Sequence, residues 1–312
     1  MSDGTKISWT DASWPVTAGC EHVSDGCERC YAAKLTSGRL KHLPAYSGLA
    51  EGGRFNGQVR LLPDRLDWPQ KWRKPRKVFV ADMSDLFYDQ VPDEYIARVW
   101  QVMATSPQHT FQVLSKRHAR MRAWMNRCAL SPGGWITHDG TDPRGAYDET
   151  GIIVGYAPRP EHVTYGRRGG NRRMWPASGG WPLPNVWLGV SAENEPWFNL
   201  RTEALLSTPA AVRFVSCEPL LGPIRMTASL MVGMALAPKD GINWVIVGGE
   251  SGPGYRPMDI AWLESIVTQC KAAGVAVWVK QDSGPRAGQQ GRIPDDLWIH
   301  EFPAAADLAG AA

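Results

Sequence analysis

No apolar run in this 312-residue chain approaches the roughly 18 residues that a membrane-spanning helix needs, so an integral membrane protein is not expected. The opening MSDGTKISWTD lacks the basic and apolar regions of a secretory signal, and a cytoplasmic, reducing setting is the expectation. A disulfide framework is disfavoured too, because Cys128, Cys217 and Cys270 are scattered singly. No G-x-G-x-x-G follows an early strand, which removes the main signature of a dinucleotide-binding sheet. The glycine run GGESGPG (248–254) comes late and carries little by itself. Internal repeats and coiled-coil heptads are missing. The formal net charge of +3 is too small to announce a nucleic-acid binder.

What is present is a chain long enough for one barrel-sized domain, with apolar runs ending in polar residues. Strands are predicted in VFVADMSDLF (78–87), TFQVLSKR (110–117), NVWLGVSAEN (185–194), AVRFVSCEP (211–219), INWVIVGGES (242–251) and VAVWVKQDS (275–283). Amphipathic stretches alternate with them at 91–106, 118–128, 195–208 and 259–274, the last closed by Gly274. Continuous apolar strands alternating with helices indicate a parallel sheet with helical crossovers. Counting a unit at the head of the chain, seven such units predict an α/β fold, a complete or partial (βα) barrel spanning 1–312 as a single domain. Residues 129–184 interrupt the pattern with a glycine-, proline- and tryptophan-rich stretch, read as an irregular insertion or lid. Most of the fifteen tryptophans are expected in the core.

Ligands of α/β sheets bind at the carboxyl ends of parallel strands. The predicted strands end in Ser84 and Asp85, Ser115 and Lys116, Ser191 and Glu193, Glu218, Glu250, and Lys280 with Gln281. Capping of strand-to-helix turns is the plain alternative for each. Lys116 and Lys280 are candidates to receive a phosphate or carboxylate.

The most specific chemistry lies in GCEHVSDGCERCYAAKL. Cys20, Cys27 and Cys30 form C-x6-C-x2-C, three thiols in one loop. Three thiolates leave the fourth iron of a [4Fe–4S] cluster open to a small molecule. Structural zinc is the alternative, with His22 or a distant residue as fourth ligand, although His22 is poorly spaced to close a tetrahedron. Two basic segments also stand out. Lys71, Arg73, Lys74, Arg76 and Lys77 are interleaved with Trp68 and Trp72, and Arg167, Arg168, Arg172 and Arg173 lie in YGRRGGNRRMW. Cations beside aromatic rings suit phosphates and unpaired bases, or are solvated loops.

Several blocks in order, SWTDASWPVTAGCEHVSDGCERCYA, VFVADMSDLF, FQVLSKR, NVWLGVSAEN, RFVSCEPLLGP, NWVIVGGESGPGYRPM and VWVKQ, resemble a family of phage and bacterial radical S-adenosylmethionine (SAM)-like proteins. That family was long catalogued as a phage domain of unknown function. Its likeness is weakest across 129–184. The spacing here departs from the C-x3-C-x2-C commonest among radical SAM enzymes but suits this branch. The resemblance implies a radical SAM-type barrel with a [4Fe–4S] cluster on Cys20, Cys27 and Cys30. It implies SAM chelated to the open iron and cleaved to a 5′-deoxyadenosyl radical. Ser84 and Asp85 would take the SAM amino group, Ser191, Glu193 and Asn194 the ribose, and Glu218 and Glu250 would reach SAM or substrate.

Relatives of this type are associated with thymidine hypermodification in bacteriophage DNA, which evades host restriction. The resemblance therefore implies an isomerase that converts N-linked glycinyl-thymidine to the carbon-linked form, with Lys116 or an arginine of 167–173 on the glycine carboxylate. Modified DNA would be the substrate and a host flavodoxin or ferredoxin the electron donor, in the host cytoplasm. A radical SAM lyase repairing thymine photoproducts, and a zinc-stabilised nucleic-acid-binding protein without catalysis, are the alternative readings.

Overall fold

The computed structural model describes residues 5–130, 181–226 and 241–303. Most of the 129–184 stretch, with Arg167, Arg168, Arg172 and Arg173, lies outside the described residues.

The chain opens with β1 (Ala12–Trp14) and β2 (Thr17–Ala18), then the cysteine loop and α1 (Tyr31–Ser37). Three short strands follow, β3 (Ala50–Glu51), β4 (Arg54–Phe55) and β5 (Arg60–Leu61), and then α2 (Trp68–Lys71). Regular alternation begins with β6 (Lys77–Val80), α3 (Asp93–Ala104), β7 (Thr110–Ser115) and α4 (His118–Leu130). It continues through β8 (Val186–Ser191), α5 (Glu195–Leu206), β9 (Val212–Cys217), β10 (Trp244–Gly248), α6 (Ile260–Ala273) and β11 (Ala276–Gln281).

Seven strands form one sheet in the order β1-β6-β7-β8-β9-β10-β11, every adjacent pair parallel. Spatial order follows chain order, so the sheet does not reverse at a switch point as a doubly wound sheet does. It curls into a half-barrel, a partial rather than a complete ring, with β1 and β11 at its two ends. The head unit contributes only three residues to the sheet, paired Ala12 to Val78 and Trp14 to Val80.

Side-chain alternation divides the two faces. Val78, Val80, Val113, Leu188, Val190, Val215, Val245, Val247, Val277 and Val279 pack with Ile96, Trp100, Trp124, Phe198, Leu205, Leu263 and Ile266 of the helices. Cys217 and Cys270 are buried in this layer. The opposite face carries Phe79, Trp187, Val212, Phe214, Trp244, Ile246 and Trp278, joined by Trp9 and edged by Phe302. That aromatic cluster fills the concave side near the amino ends of the strands. Gly189 is the space-maker there, since a Cβ on it would stand 2.5 Å from the Phe214 ring.

Local signals set the crossovers. Asn194 caps α5 by accepting from Trp197 N–H, and Asp259 caps α6 by accepting from Ala261 N–H. Gly274 ends α6 in the left-handed region at φ 68°. Beyond β11, an extended segment returns along that strand: Val279 N–H donates to Ile299 O at 2.7 Å and Glu301 N–H to Val277 O at 2.8 Å.

Candidate functional site

The alternation that points Phe79, Phe214, Trp244 and Trp278 into the concave face continues to the strand ends. Lys116, Ser191, Ser216, Glu218, Gly248 and Lys280 hold the same parity as Gln112, Trp187, Phe214, Trp244 and Trp278. An aromatic floor therefore gives way to a polar upper layer. Lys280 Nζ lies 3.1 Å from Glu218 Oε1, and Ser216 Oγ donates to Glu218 Oε2 at 3.3 Å. Gly248 makes this possible, because a Cβ there would sit 2.8 Å from Glu218 Oε1. Among the described residues the Lys116 ammonium has no hydrogen-bond or ion-pair partner. It is half-buried and close enough to act electrostatically on Cys30 and Glu193.

The cysteine loop lies across these strand ends, tied down on three sides. From the end of β6, Ser84 Oγ donates to Gly19 O at 2.6 Å, and Gly19 N–H donates to Met83 O. Position 19 requires glycine: φ is 92°, and a Cβ would meet Gln58 O at 2.2 Å. From the end of β8, Glu193 Oε1 accepts Gly26 N–H at 3.2 Å. From the end of β10, Glu250 accepts the Arg256 guanidinium at 2.5 Å and 3.0 Å and the Arg256 backbone N–H at 2.8 Å, while Arg256 Nη2 donates to Asp25 O. Arg29 approaches Glu250 at 3.6 Å. On the outer flank His22 pairs with Glu28 at 2.9 Å, and Arg54 bonds the same carboxylate.

All three loop cysteines are free and half-buried. Cys20 lies within electrostatic reach of Cys27 and Cys30, and Cys30 within reach of Cys27. Burial, reinforced by the Asp85 carboxylate, pushes the Cys20 thiol up to about 12, and burial likewise raises Cys30. Ligation by these sulfurs is therefore coupled to proton release. Among the described residues no three His, Cys, Asp or Glu side chains are grouped as a single metal ion needs. Sulfurs on separate irons of a cubane stand farther apart than sulfurs sharing one ion. Among the described residues three thiols are offered and His22 is turned to Glu28, a donor set compatible with a three-cysteine cluster.

The other predicted site residues divide into those on the concave face of the sheet and those spent on the scaffold. Glu218 and Lys116 belong to the first group. Asp85 is buried with both oxygens occupied, accepting Ser115 Oγ and Lys116 N–H at 2.8 Å each and Phe87 N–H at 3.0 Å. Glu193 is wholly buried against Arg201 at 3.0 Å. Burial alone would raise its carboxyl, but the Ser24 hydroxyl, Arg201, Lys116 and the Gly26 N–H together hold it below the usual carboxylate range. Asn194 caps α5, and the Ser191 carbonyl accepts from Arg201. Glu250 is held low in the same manner, burial being outweighed by Arg256 and Arg29.

One basic segment lies away from the cysteine loop. Residues 68–77 run into the amino end of β6, the edge of the sheet opposite the cysteine loop. Trp72 is buried, ring-to-ring with His109 and covered by Arg76, and Arg65 lies over Trp68. These tryptophans are packing residues.

Sequence reasoning missed Arg201, Arg256 and Asp82. Asp82 follows Ala81, whose φ of 57° turns the chain at the end of β6. It meets Ser13 on the concave face, while Tyr31 Oη donates to its carbonyl at 2.5 Å. Burial pushes the Asp82 carboxyl up to about 7, against the lowering effects of Ser13, its own backbone N–H and Arg65. The unfolded chain ionises near 3.8, so between the two values the fold holds a proton that the unfolded chain has lost. Stability from this group therefore falls as pH rises from about 4 to 7. Asp82→Asn should stabilise the protein by roughly 2 kcal/mol at pH 8, about half of full-burial linkage because the side chain is partly exposed. Little change is expected at pH 4. Urea unfolding at the two pH values checks this, and an equal gain at both would refute it.

No helix among the described residues is long and apolar enough to cross a membrane. Neither a curated protein nor a solved structure matches the chain. A family model described as "Protein of unknown function (DUF5131)" matches residues 4–297, and the chain, with its cysteine loop and its half-barrel strands inside that span, belongs to this family.

Proposed function

We propose that the protein is a radical SAM enzyme whose [4Fe–4S] cluster is held by Cys20, Cys27 and Cys30. The observation that carries this reading is the position of the loop: three free thiols fastened over the carboxyl ends of a curled parallel sheet. When bound, the cluster supplies one electron that breaks a carbon–sulfur bond of SAM, yielding a radical that takes hydrogen from a C–H bond. The chain's own residues supply confinement and orientation. The aromatic floor excludes water from below. Glu218, fixed by Lys280 and Ser216, presents a carboxylate on the concave face, and Lys116 offers an ammonium with no partner among the described residues to an anionic group. Burial raises the Asp82 carboxyl to about 7, so it titrates near neutral pH.

The substrate reading follows from the resemblance. It is thymidine in phage DNA bearing an N-linked glycine, isomerised to the carbon-linked form in the host cytoplasm, with Lys116 on the glycine carboxylate and a flavodoxin or ferredoxin as donor. Anaerobic reconstitution with iron and sulfide, reduction and addition of SAM should yield 5′-deoxyadenosine. Cys27→Ser should reduce the yield to background. Stoichiometric zinc in place of iron would sink the enzyme reading in favour of a binding protein. With glycinyl-thymidine DNA, mass spectrometry should show an isomer of unchanged mass, and restoration of plain thymine in photodamaged DNA would point to a repair lyase.

A further inference from the structure

Glu193 and Arg201 form an ion pair in which both side chains are 0% exposed. A buried ion pair is weak support for stability, because apolar residues of similar volume often serve as well. This pair, however, is not closed on itself. Arg201 Nη1 donates to Glu193 Oε2 at 3.0 Å and to Ser191 O at 2.7 Å, while Nη2 donates to Ser24 Oγ at 3.0 Å. Glu193 Oε1 accepts Gly26 N–H, and Glu193 O accepts Leu221 N–H at 2.8 Å. Ser24 and Gly26, in a single turn of the cysteine loop, are thus held by one planar guanidinium and the carboxylate it orients. The ring of Trp197 lies 4.2 Å from the guanidinium carbon and fixes it from the side. Gly26 allows the approach, since a Cβ would stand 3.2 Å from Glu193 Cδ.

We infer that Arg201 is a positioning residue: through Glu193 and Ser24 it presets the Cys20–Cys30 loop, with Cys27 directly after Gly26, before any cofactor binds. This rests on the reading of the three cysteines as cofactor ligands. Arg201 sits in α5, eight residues beyond Glu193.

The test uses full-length protein carrying Arg201→Met, and Glu193→Gln with Arg201→Met so that no buried charge is left alone. Hydrogen exchange is followed by mass spectrometry in the cofactor-free protein, and iron and sulfide binding after reconstitution. Amides of residues 20–30 should exchange about ten-fold faster or more, with β9 and β10 at wild-type rates, because a local brace is lost. Affinity for iron should fall about 10- to 100-fold, the usual loss on removing a residue that orients ligands. Arg201→Lys, which keeps the charge without the fork, should restore part of both. Unchanged exchange in 20–30, or equal acceleration throughout the chain, overturns the inference. If wild-type protein binds no iron yet the local contrast in exchange is present, the cofactor reading falls and the positioning role stands.

Discussion

Glu193→Ala is expected to destabilise the protein by about 3–5 kcal/mol, since it leaves a buried guanidinium without its counter-charge. Arg201 is fully buried and would retain only the Ser191 carbonyl and the Ser24 hydroxyl as acceptors. The Gly26 N–H would lose its acceptor at the same time. Glu193→Gln keeps an oxygen for one of these donors and should lose less. Because the Glu193 carboxyl is held below its ordinary 4.5, its contribution is present above that pH and disappears as acid titrates the folded carboxylate. The alanine variant should therefore lack that part of the acid sensitivity. Urea denaturation at pH 7 and pH 4 measures both effects, and a loss under about 1 kcal/mol at neutral pH would show that Arg201 finds other partners.

Trp244→Ala should be of similar size, about 3–5 kcal/mol, for a different reason. Its ring meets Trp187 at 5.8 Å, Phe214 at 5.6 Å, Trp9 at 6.1 Å, Trp278 at 6.5 Å and Phe302 at 5.3 Å. Its indole N–H donates to Glu301 O at 2.8 Å. One truncation would hollow the floor of the half-barrel and orphan a carbonyl. Trp244→Phe, which keeps a ring, should lose markedly less. Thermal and urea unfolding of the two variants decides this. Equal losses would mean that the N–H bond, not the packing, dominates.

The strand-and-helix alternation was legible because the strands are buried on both faces and read as unbroken apolar runs. β1 was not, since Ala12, Ser13 and Trp14 are too few for a pattern. The cysteine loop declared itself by spacing. Arg201 and Arg256 did not, because a charged residue in a helix or loop looks solvated until the chain folds it onto a carboxylate. The run DMSD at 82–85 gave four polar or soft residues with no clue to direction. The left-handed turn at Ala81 sends Asp82 inward, while Asp85 reaches across to β7. The location of residues 68–77 was hidden for a related reason. Composition marked cations beside tryptophans, but which end of the sheet they occupy depends on Lys77 being the first residue of β6.

The segment returning along β11 has a bearing on how the protein behaves in a crowded solution. A parallel sheet that stops short of a ring exposes a row of unpaired amides and carbonyls, a template on which another chain can add. Here Ile299 to Glu301 occupy that row on β11, and His300 adds a ring contact to Trp278 at 4.7 Å. The molecule thereby supplies its own terminal strand-like cover, and self-association by sheet extension is blocked on that side.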